Sequence, residues 1–174
     1  MTSKSYVRTA DAVVHIAASP ELIFAHLDDQ THLGGHMEKP SMMMMGGYMT
    51  YAFDQTGGRA AGSVIKMGGH FLGLDLSVEE VMTVHAPPQM KVWETQGQPH
   101  LLIIGAYRMG FELTPSDAGS RLRVFIEYDP LTTFAGRILS FLFAPIYARW
   151  CVGQMARDAE RHFRLSPAKT AAKA

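Results

Sequence analysis

An α+β fold is predicted by three features of this sequence. A strand-like segment near the N-terminus is followed by two short helical segments, and residues 48–128 then have the pattern of six consecutive strands. A long helical segment closes the chain. Consecutive strands joined by short turns usually pair with one another, so we expect one curved antiparallel sheet of seven strands. The long C-terminal helix is expected to cover the concave side of that sheet.

The first strand and the two short helices are predicted from residues 12–36. Residues 12–17 (Ala-Val-Val-His-Ile-Ala) are typical of a strand, and Ser19-Pro20-Glu21 is typical of a helix start. Serine caps the first turn, proline fits its backbone, and an acid compensates the positive end of the helix dipole. Asp28-Asp29 begins a second short helical segment, which Gly34-Gly35 interrupts.

Six further strands are predicted from runs of apolar residues separated by glycine and proline. Their expected bounds are 48–54, 62–68, 71–85, 89–96, 100–113 and 120–128. The expected turns are Gly57-Gly58, Gly68-Gly69, Pro87-Pro88, Gly97 to Pro99 and Pro115 to Gly119. The last two strands alternate, with one mostly apolar and one mostly polar face, and Phe125 is an exception. We therefore expect the sheet to have one dry and one mostly wet face.

The long helix is predicted between Leu131 and Phe163. Its second half carries a narrow stripe of mostly small apolar residues at steps of three and four: Ala148, Val152, Met155, Ala156, Ala159 and Phe163. Its first half, residues 138–147, is apolar nearly all round and must be covered by protein, a partner, lipid or an apolar ligand. Pro145 lacks a backbone donor, so we expect it to kink the helix or to split it in two.

Length and composition favour one domain without a charged partner. The 174 residues predict a flexible N-terminus at 1–9, a ligand-binding domain at 10–164 and a disordered tail at 165–174. The formal net charge is zero, and the basic residues are dispersed, which argues against nucleic acid. The single cysteine, Cys151, fits a buried position in a reducing cytoplasm. No apolar run reaches the roughly 20 residues of a membrane span.

Metal and acyl-transfer chemistry find little support. Asp28, Asp29, His32 and His36 come nearest to a metal site, but their spacing fixes no third ligand. No nucleophile elbow and no Cys/His pair with a known spacing is present. We therefore expect no metal and no cofactor.

Two stretches resemble the START/Bet v 1-like helix-grip superfamily, also called SRPBCC. They are Val13 to Phe24, with Leu27-Asp28-Asp29 just after, and Val78 to Glu94, which has a double proline before a strand carrying Trp93. The resemblance covers about residues 10–164. It implies a seven-stranded sheet gripping a C-terminal helix, as in the polyketide cyclase/dehydrase and lipid-transport branches, and a cavity between them.

An apolar small molecule is the ligand we expect for such a cavity. The predicted ligand-binding residues are Tyr51, Phe53, Met67, His70, Tyr107, Met109, Phe111, Tyr128, Val152 and Met155. The tyrosine hydroxyls and His70 are the expected polar groups inside. The methionine run Met42 to Met45 is expected to form a lid together with the front of the last helix, because methionine adapts to irregular shapes.

Two other functions stay open. The protein could be a polyketide cyclase/dehydratase-like enzyme with His70 or His36 as its acid or base and a tyrosine as its proton donor. Alternatively, it could dock on a membrane or form a homodimer through an exposed apolar patch. The candidates for this patch are Phe141, Phe143, Ile146 and Tyr147, with Trp150 as a further candidate.

Overall fold

A computed structural model describes residues 5–29, 32, 48–71 and 74–165. Within these ranges the chain forms seven strands and two helices of at least eight residues, which confirms the predicted α+β class. In chain order they are β1 (Arg8–Ile16), α1 (Pro20–Leu27), β2 (Tyr48–Phe53), β3 (Val64–Phe71), β4 (Leu74–Ala86), β5 (Met90–His100), β6 (Tyr107–Ser116), β7 (Gly119–Tyr128) and α2 (Phe134–Leu165). The predicted second short helix falls mostly on residues outside the described ranges.

The strands form one antiparallel sheet in the order β1-β7-β6-β5-β4-β3-β2. Strands β2 to β7 therefore pair with their neighbours in sequence, as predicted, while β1 pairs with β7 along its whole length, from Arg8↔Tyr128 to Ile16↔Ser120. The first strand thus lies beside the last one, and the long helix that follows β7 is positioned against both.

The core lies between the inner face of the sheet and α2. The buried apolar residues on the strands include Ile65, Met67, Val78, Met82, Trp93, Tyr107, Met109, Phe111, Leu113, Leu122, Val124, Ile126 and Tyr128. On β6 and β7 they alternate as predicted, with Tyr107 opposite Tyr128 and Met109 opposite Ile126. The exception, Phe125, packs on the outer face below the guanidinium groups of Arg108 and Arg123, at 5.6 and 5.2 Å from its ring centroid.

The helix α2 is continuous over 32 residues, with Pro145 inside it. Of the two outcomes predicted for Pro145, a kink or a split, the split is therefore wrong, and the kink stays a prediction. The predicted stripe is buried, from Ala148 to Ala159, while Phe163 is half-buried. Small residues along the stripe let the helix approach β1 and β7 closely. None of the described helices is long and apolar enough to cross a membrane.

The predicted boundary between the strands expected at 89–96 and 100–113 is wrong. Strand β5 continues through the expected turn at Gly97 to His100, and β6 starts only at Tyr107. Residues 101–106 leave the sheet because they bond to the chain around the start of α2. The Ser140 hydroxyl donates to the Ile103 carbonyl at 2.7 Å, and the Gly105 amide donates to Asp129 at 2.9 Å. A Cβ on Gly105 would lie 2.9 Å from the Pro130 oxygen, so this approach requires glycine.

The expected turn at Gly68-Gly69 is also wrong. Both glycines lie inside β3, where they face Ser77 and Leu76 of β4. Glycine is rare in strands, and the pair alone predicted a turn. Ladder hydrogen bonds to neighbours on both sides, β2 and β4, outweigh that local preference.

Candidate functional site: a carboxyl group inside the sheet

Glu80 places an ionisable group inside the apolar core. Alternation along β4 turns Val78, Glu80 and Met82 towards the inner face. Glu80 lies between Ile65 of β3 and Thr95 of β5 and is only 3% exposed. Buried carboxyl groups need hydrogen-bond partners, because an isolated charge in an apolar interior is strongly unfavourable.

Two aromatic side chains supply these partners. The Tyr107 hydroxyl of β6 donates a short hydrogen bond to the Glu80 carboxyl. The indole N–H of Trp93, on β5, donates to the same carboxyl. Both rings are buried in the core. Three neighbouring strands thus bring a carboxyl, a phenol and an indole together in a largely apolar interior.

Burial raises the pKa of Glu80 to about 7, and the hydrogen bonds from Tyr107 and Trp93 only partly oppose this effect. Burial also raises the pKa of Tyr107, and the nearby Glu80 charge raises it further, so the phenol stays neutral. At neutral pH Glu80 can therefore exist in both protonation states. It can accept a hydrogen bond as a carboxylate or donate one as an acid.

The helix α2, which covers the inner face of the sheet, adds two ionisable groups, the thiol of Cys151 and the phenol of Tyr147. Burial, together with the Glu80 charge, raises the pKa of the Cys151 thiol to about 12, so it is neutral. Tyr147, one turn earlier, has a pKa raised by burial and by the proximity of Cys151 and Tyr51. The interacting groups therefore connect Glu80 in the interior, through the helix, with Tyr51 on β2.

Exposure of the inner face increases towards β2. Glu80 on β4 is 3% exposed and Met67 on β3 is 6% exposed, whereas Phe53 on β2 is 36% exposed. The Tyr51 ring is half-buried and stacks with that of Phe53 at 6.0 Å. On this face, exposed apolar side chains therefore lie on β2, at Phe53, and at the start of β4, where Leu74 is 54% exposed.

Most of the predicted ligand-binding residues come together. Seven of them are buried in one core cluster: Met67, Tyr107, Met109, Phe111, Tyr128, Val152 and Met155. Tyr51 packs against that cluster at its edge, and Phe53 stacks on Tyr51. Tyr147, predicted as part of an exposed patch, is half-buried and faces Cys151 instead.

The structure places His70 on the opposite face of the sheet. Ile65 and Met67 of β3 point inward, so alternation turns His70 outward. Its side chain is 62% exposed and pairs with Asp75 on β4. The expectation that His70 lies inside is thereby corrected. His36 and Met42 to Met45 lie outside the described residues.

The sequence interpretation missed Glu80, expected Cys151 only as a buried residue without a role in the site, and left Trp93 undecided. A signal for Glu80 exists, because it stands two residues from both Val78 and Met82, where alternation predicts the same face. The adjacent Glu79 is half-buried and pairs with Lys66 at 3.3 Å. Deciding which of Glu79 and Glu80 is buried requires knowing which alternate residues of β4 face inward. Two adjacent glutamates do not reveal this.

Asp28 and Asp29, two of the four residues considered for a metal, bind protein groups. Asp28 accepts hydrogen bonds from buried Lys91 and from His85, both at 2.9 Å, and Asp29 pairs with Arg59 at 3.2 Å. Burial opposes ionisation of Asp28, but the bonds from Lys91 and His85 outweigh it and lower its pKa. The Asp28 contacts tie the end of α1 to β4 and β5, and the Asp29 contact ties it to the connection between β2 and β3. In the described ranges, no three His, Cys, Asp or Glu side chains are placed to hold a metal.

Solved structures with the same architecture include bacterial and plant proteins. TTHA0849 from Thermus thermophilus is 12% identical, with a TM-score of 0.65 over 91% of this chain and 99% of that one. A norcoclaurine synthase point mutant from Thalictrum flavum, solved with a transition state analogue, is 14% identical, with a TM-score of 0.64 over 95% and 100%. Ara h 8.0201 is 12% identical, with a TM-score of 0.58 over 91% and 99%.

These structures identify the architecture as the Bet v 1-like helix-grip fold, in agreement with the resemblance in the sequence. At such low identity the likeness concerns the fold alone. No protein-family model matches the chain, and no curated protein matches it.

Proposed function

We propose that this protein binds an apolar small molecule between its sheet and α2, and that Glu80 and Tyr107 hold a polar group of that molecule. The carboxyl–phenol pair inside an apolar core is the observation that carries this proposal. A lipid or an aromatic, polyketide-like metabolite has the required chemistry. Its apolar part would contact the predicted lining, from Met67 and Met109 to Val152 and Met155.

The energetic cost of Glu80 supports a binding role. Raising a carboxyl pKa from 4.5 to about 7 means that the fold disfavours the charged form by about 3 kcal/mol at high pH. An uncharged residue of similar size would avoid this cost. Ionisable groups kept in such surroundings are frequently functional.

The chemistry of the pair restricts the ligand further. A protonated Glu80 can donate to a carbonyl or hydroxyl oxygen, and an ionised Glu80 can accept from a hydroxyl or an amine. Most of the affinity would come from burying apolar area, at roughly 25 cal/mol per Å². The ligand would enter between β2 and α2, where the inner-face side chain of Tyr51 is half-buried and that of Phe53 is exposed.

Native mass spectrometry of the purified protein, followed by solvent extraction, tests this proposal. We expect a co-purifying or added apolar compound to bind at one molecule per chain. Met109→Trp should block binding by filling the interior, and Glu80→Gln should weaken binding of ligands with a polar group. His70→Gln, on the outer face, is the matched control and should bind normally. A folded protein that binds none of a panel of lipids and aromatic ketones would overturn the proposal.

An acid–base enzyme of the polyketide cyclase/dehydratase type is the second candidate. It is favoured by Glu80, whose pKa of about 7 suits a general base, with the neutral Tyr107 phenol beside it. Glu80 would remove a proton from the carbon next to a ketone, and Tyr107 would donate a hydrogen bond to the enolate oxygen. Deuterium exchange at that carbon of a bound aryl ketone, measured by NMR, tests this role. Exchange that is unchanged in Glu80→Gln would exclude it.

A cytoplasmic location is also part of the proposal, because Cys151 is the sole cysteine of the chain and so forms no disulfide within it.

A further inference from the structure

The front of α2, from Phe134 to Ile146, exposes most of its large apolar side chains. Phe134 is 82% exposed, Phe141 68% and Ile146 58%. Four more residues of this segment are exposed apolar side chains: Ile138, Leu139, Leu142 and Phe143. Soluble surfaces rarely collect so many neighbouring apolar side chains, and a contiguous patch usually marks an interaction site.

The arrangement is the reverse of an ordinary surface helix. The side of this segment that faces the protein carries the small residues Gly136, Ser140 and Ala144, all buried. The large apolar residues point away from the protein over roughly 20 Å of helix. Core packing therefore does not explain them, and they are available to an external partner.

The charged side chains that α2 carries in and near this apolar front are all positive. Between Asp129 and Asp158 the charged residues are Arg137, Arg149 and Arg157, with no acid. Arg8 of β1 adds a guanidinium 5.3 Å from the centre of the Phe141 ring. Apolar side chains bordered by arginines match a surface with an apolar interior and anionic headgroups.

A groove on this face fits the same chemistry. It has a volume of about 470 Å³ and is lined by Phe134, Arg137, Ile138, Phe141 and Leu142. One cation beside four apolar side chains suits an acyl chain below an anionic headgroup. A second copy of the chain fits less well, because a symmetric dimer through this face would bring the same arginines together.

We propose that the apolar front of α2 docks on the surface of a bilayer that contains anionic phospholipid. The helix would lie in the plane of the headgroups, with its large apolar side chains inserted and its arginines at headgroup level. This interaction is independent of the interior ligand site, although it would bring the protein to a source of apolar molecules.

Co-sedimentation with lipid vesicles tests the docking. The full-length protein should bind phosphatidylcholine vesicles that contain phosphatidylserine at least about tenfold more tightly than vesicles of phosphatidylcholine alone, and added salt should weaken binding. The double variant Phe141→Ser/Phe143→Ser should lose at least about tenfold in binding, because two inserted rings are removed. Arg137→Glu should lose the preference for phosphatidylserine.

Two control variants show whether vesicle binding depends on this helix face. Leu74→Ser removes an exposed apolar residue of β4, outside α2, and should bind vesicles like the parent. Glu80→Gln should also bind vesicles normally, so failure of the interior site would leave this result intact. Equal binding to both vesicle types, or no binding, would overturn the proposal. A concentration-dependent dimer in light scattering that Phe141→Ser/Phe143→Ser abolishes would overturn it too, and would assign the face to a second copy.

Discussion

At Glu80 the stability of the fold conflicts with the proposed ligand-binding function, because burying this carboxyl costs folding free energy. Its neighbours across the sheet, Ile65 and Thr95, are uncharged, and the polar groups that bond it within the described ranges are the Tyr107 hydroxyl and the Trp93 N–H. These two donors satisfy the carboxyl without compensating its charge. A group held in this way loses a proton reluctantly and responds strongly to any ligand that brings a hydrogen bond.

Glu80→Gln should stabilise the protein at alkaline pH. Burial raises the folded pKa of Glu80 to about 7, above its ordinary value of 4.5. Between these two pH values the unfolded state has already lost the proton that the folded state keeps, so stability falls as pH rises. The advantage of the glutamine variant should therefore grow by about 2–3 kcal/mol between pH 5 and pH 8. Urea unfolding of both proteins at each pH measures this difference.

The comparison must be made between the two proteins at each pH, because other groups titrate in the same range. A difference in unfolding free energy that stays constant from pH 5 to pH 8 would contradict the raised pKa of Glu80. His70→Gln, which alters an exposed group on the outer face, provides the background expected for a change outside the core.

Lys91→Met should destabilise the protein strongly. Lys91 is fully buried and donates to both the carboxylate and the carbonyl of Asp28. Removing the cation leaves a partly buried carboxylate with His85 as its remaining partner in the described ranges, which costs about 3 kcal/mol. Denaturant unfolding monitored by circular dichroism measures the loss.

Lys66→Met is the matched control for this change. Lys66 is also a strand lysine paired with an acid, Glu79, but its side chain is 69% exposed. Exposed pairs contribute little, so this variant should lose less than about 1 kcal/mol. Equal losses in the two variants would mean that burial of Lys91 does not matter.

At the scale of whole elements, α1 and the end of α2 meet through stacked histidines. The His26 ring lies 3.8 Å from that of His162 and 4.3 Å from that of His32, with planes nearly parallel in both pairs. Burial, together with the neighbouring His162 and His32, lowers the pKa of His26 from 6.5 to about 4, although Asp29 partly opposes this effect. Protonation of His26 is therefore unfavourable in the folded protein, where its ring lies against those of His162 and His32.

His26→Phe should make the protein more stable in acid. The folded pKa of about 4 is below the ordinary value of 6.5, so the unfolded state binds more protons between these pH values and stability falls as the solution becomes acidic. Phenylalanine keeps a stacking ring without the charge. After allowance for partial exposure, we expect a gain of about 1 kcal/mol at pH 5 relative to pH 8.

Thermal unfolding at pH 5 and pH 8 checks this prediction. The control is His100→Phe, which changes an exposed histidine at the end of β5. A pH response of His26→Phe identical to that of His100→Phe would show that the stack does not suppress protonation.

The helix α2 combines two different contacts in one element. Its second half presents small residues to β1 and β7, whereas its front carries large residues on the side away from the sheet. Both halves have helical periodicity, so periodicity alone identifies the helix but not the partner of each face.

At the scale of the molecule, pairing of the first strand with the last one joins the two ends of the fold. The nine residues of β1 all pair with β7, and α2 lies closest to the same two strands. The Ser120 hydroxyl also donates to the Ala18 carbonyl at 2.7 Å, just beyond β1. Contacts far apart in sequence therefore hold the sheet and the helix in one cooperative unit.

A chain that begins at Ala17 should fail to unfold cooperatively, because it lacks β1 and leaves the edge of β7 and part of α2 without cover. A chain that begins at Ser5 keeps β1 and should unfold like the full-length protein. Differential scanning calorimetry of the three proteins measures this. A sharp transition in the chain that begins at Ala17 would show that β1 is dispensable.

The sequence by itself determined the order of the elements and the inward side of the strands that alternate clearly. These properties follow from local periodicity, so Tyr107, Met109 and Phe111 were assigned correctly to the core. The stripe on α2 follows from the same kind of pattern.

Only the tertiary structure decided which ionisable groups share the interior. Glu80, Tyr107 and Trp93 lie on three strands and meet through the register of those strands, which a bulge near Ser77 and Glu79 shifts. His70 was misplaced because the expected turn at Gly68-Gly69 hid the continuous alternation of β3, and one residue of phase moves a side chain to the other face of the sheet. Register depends on pairing between distant segments, and a local pattern of residues contains no record of it.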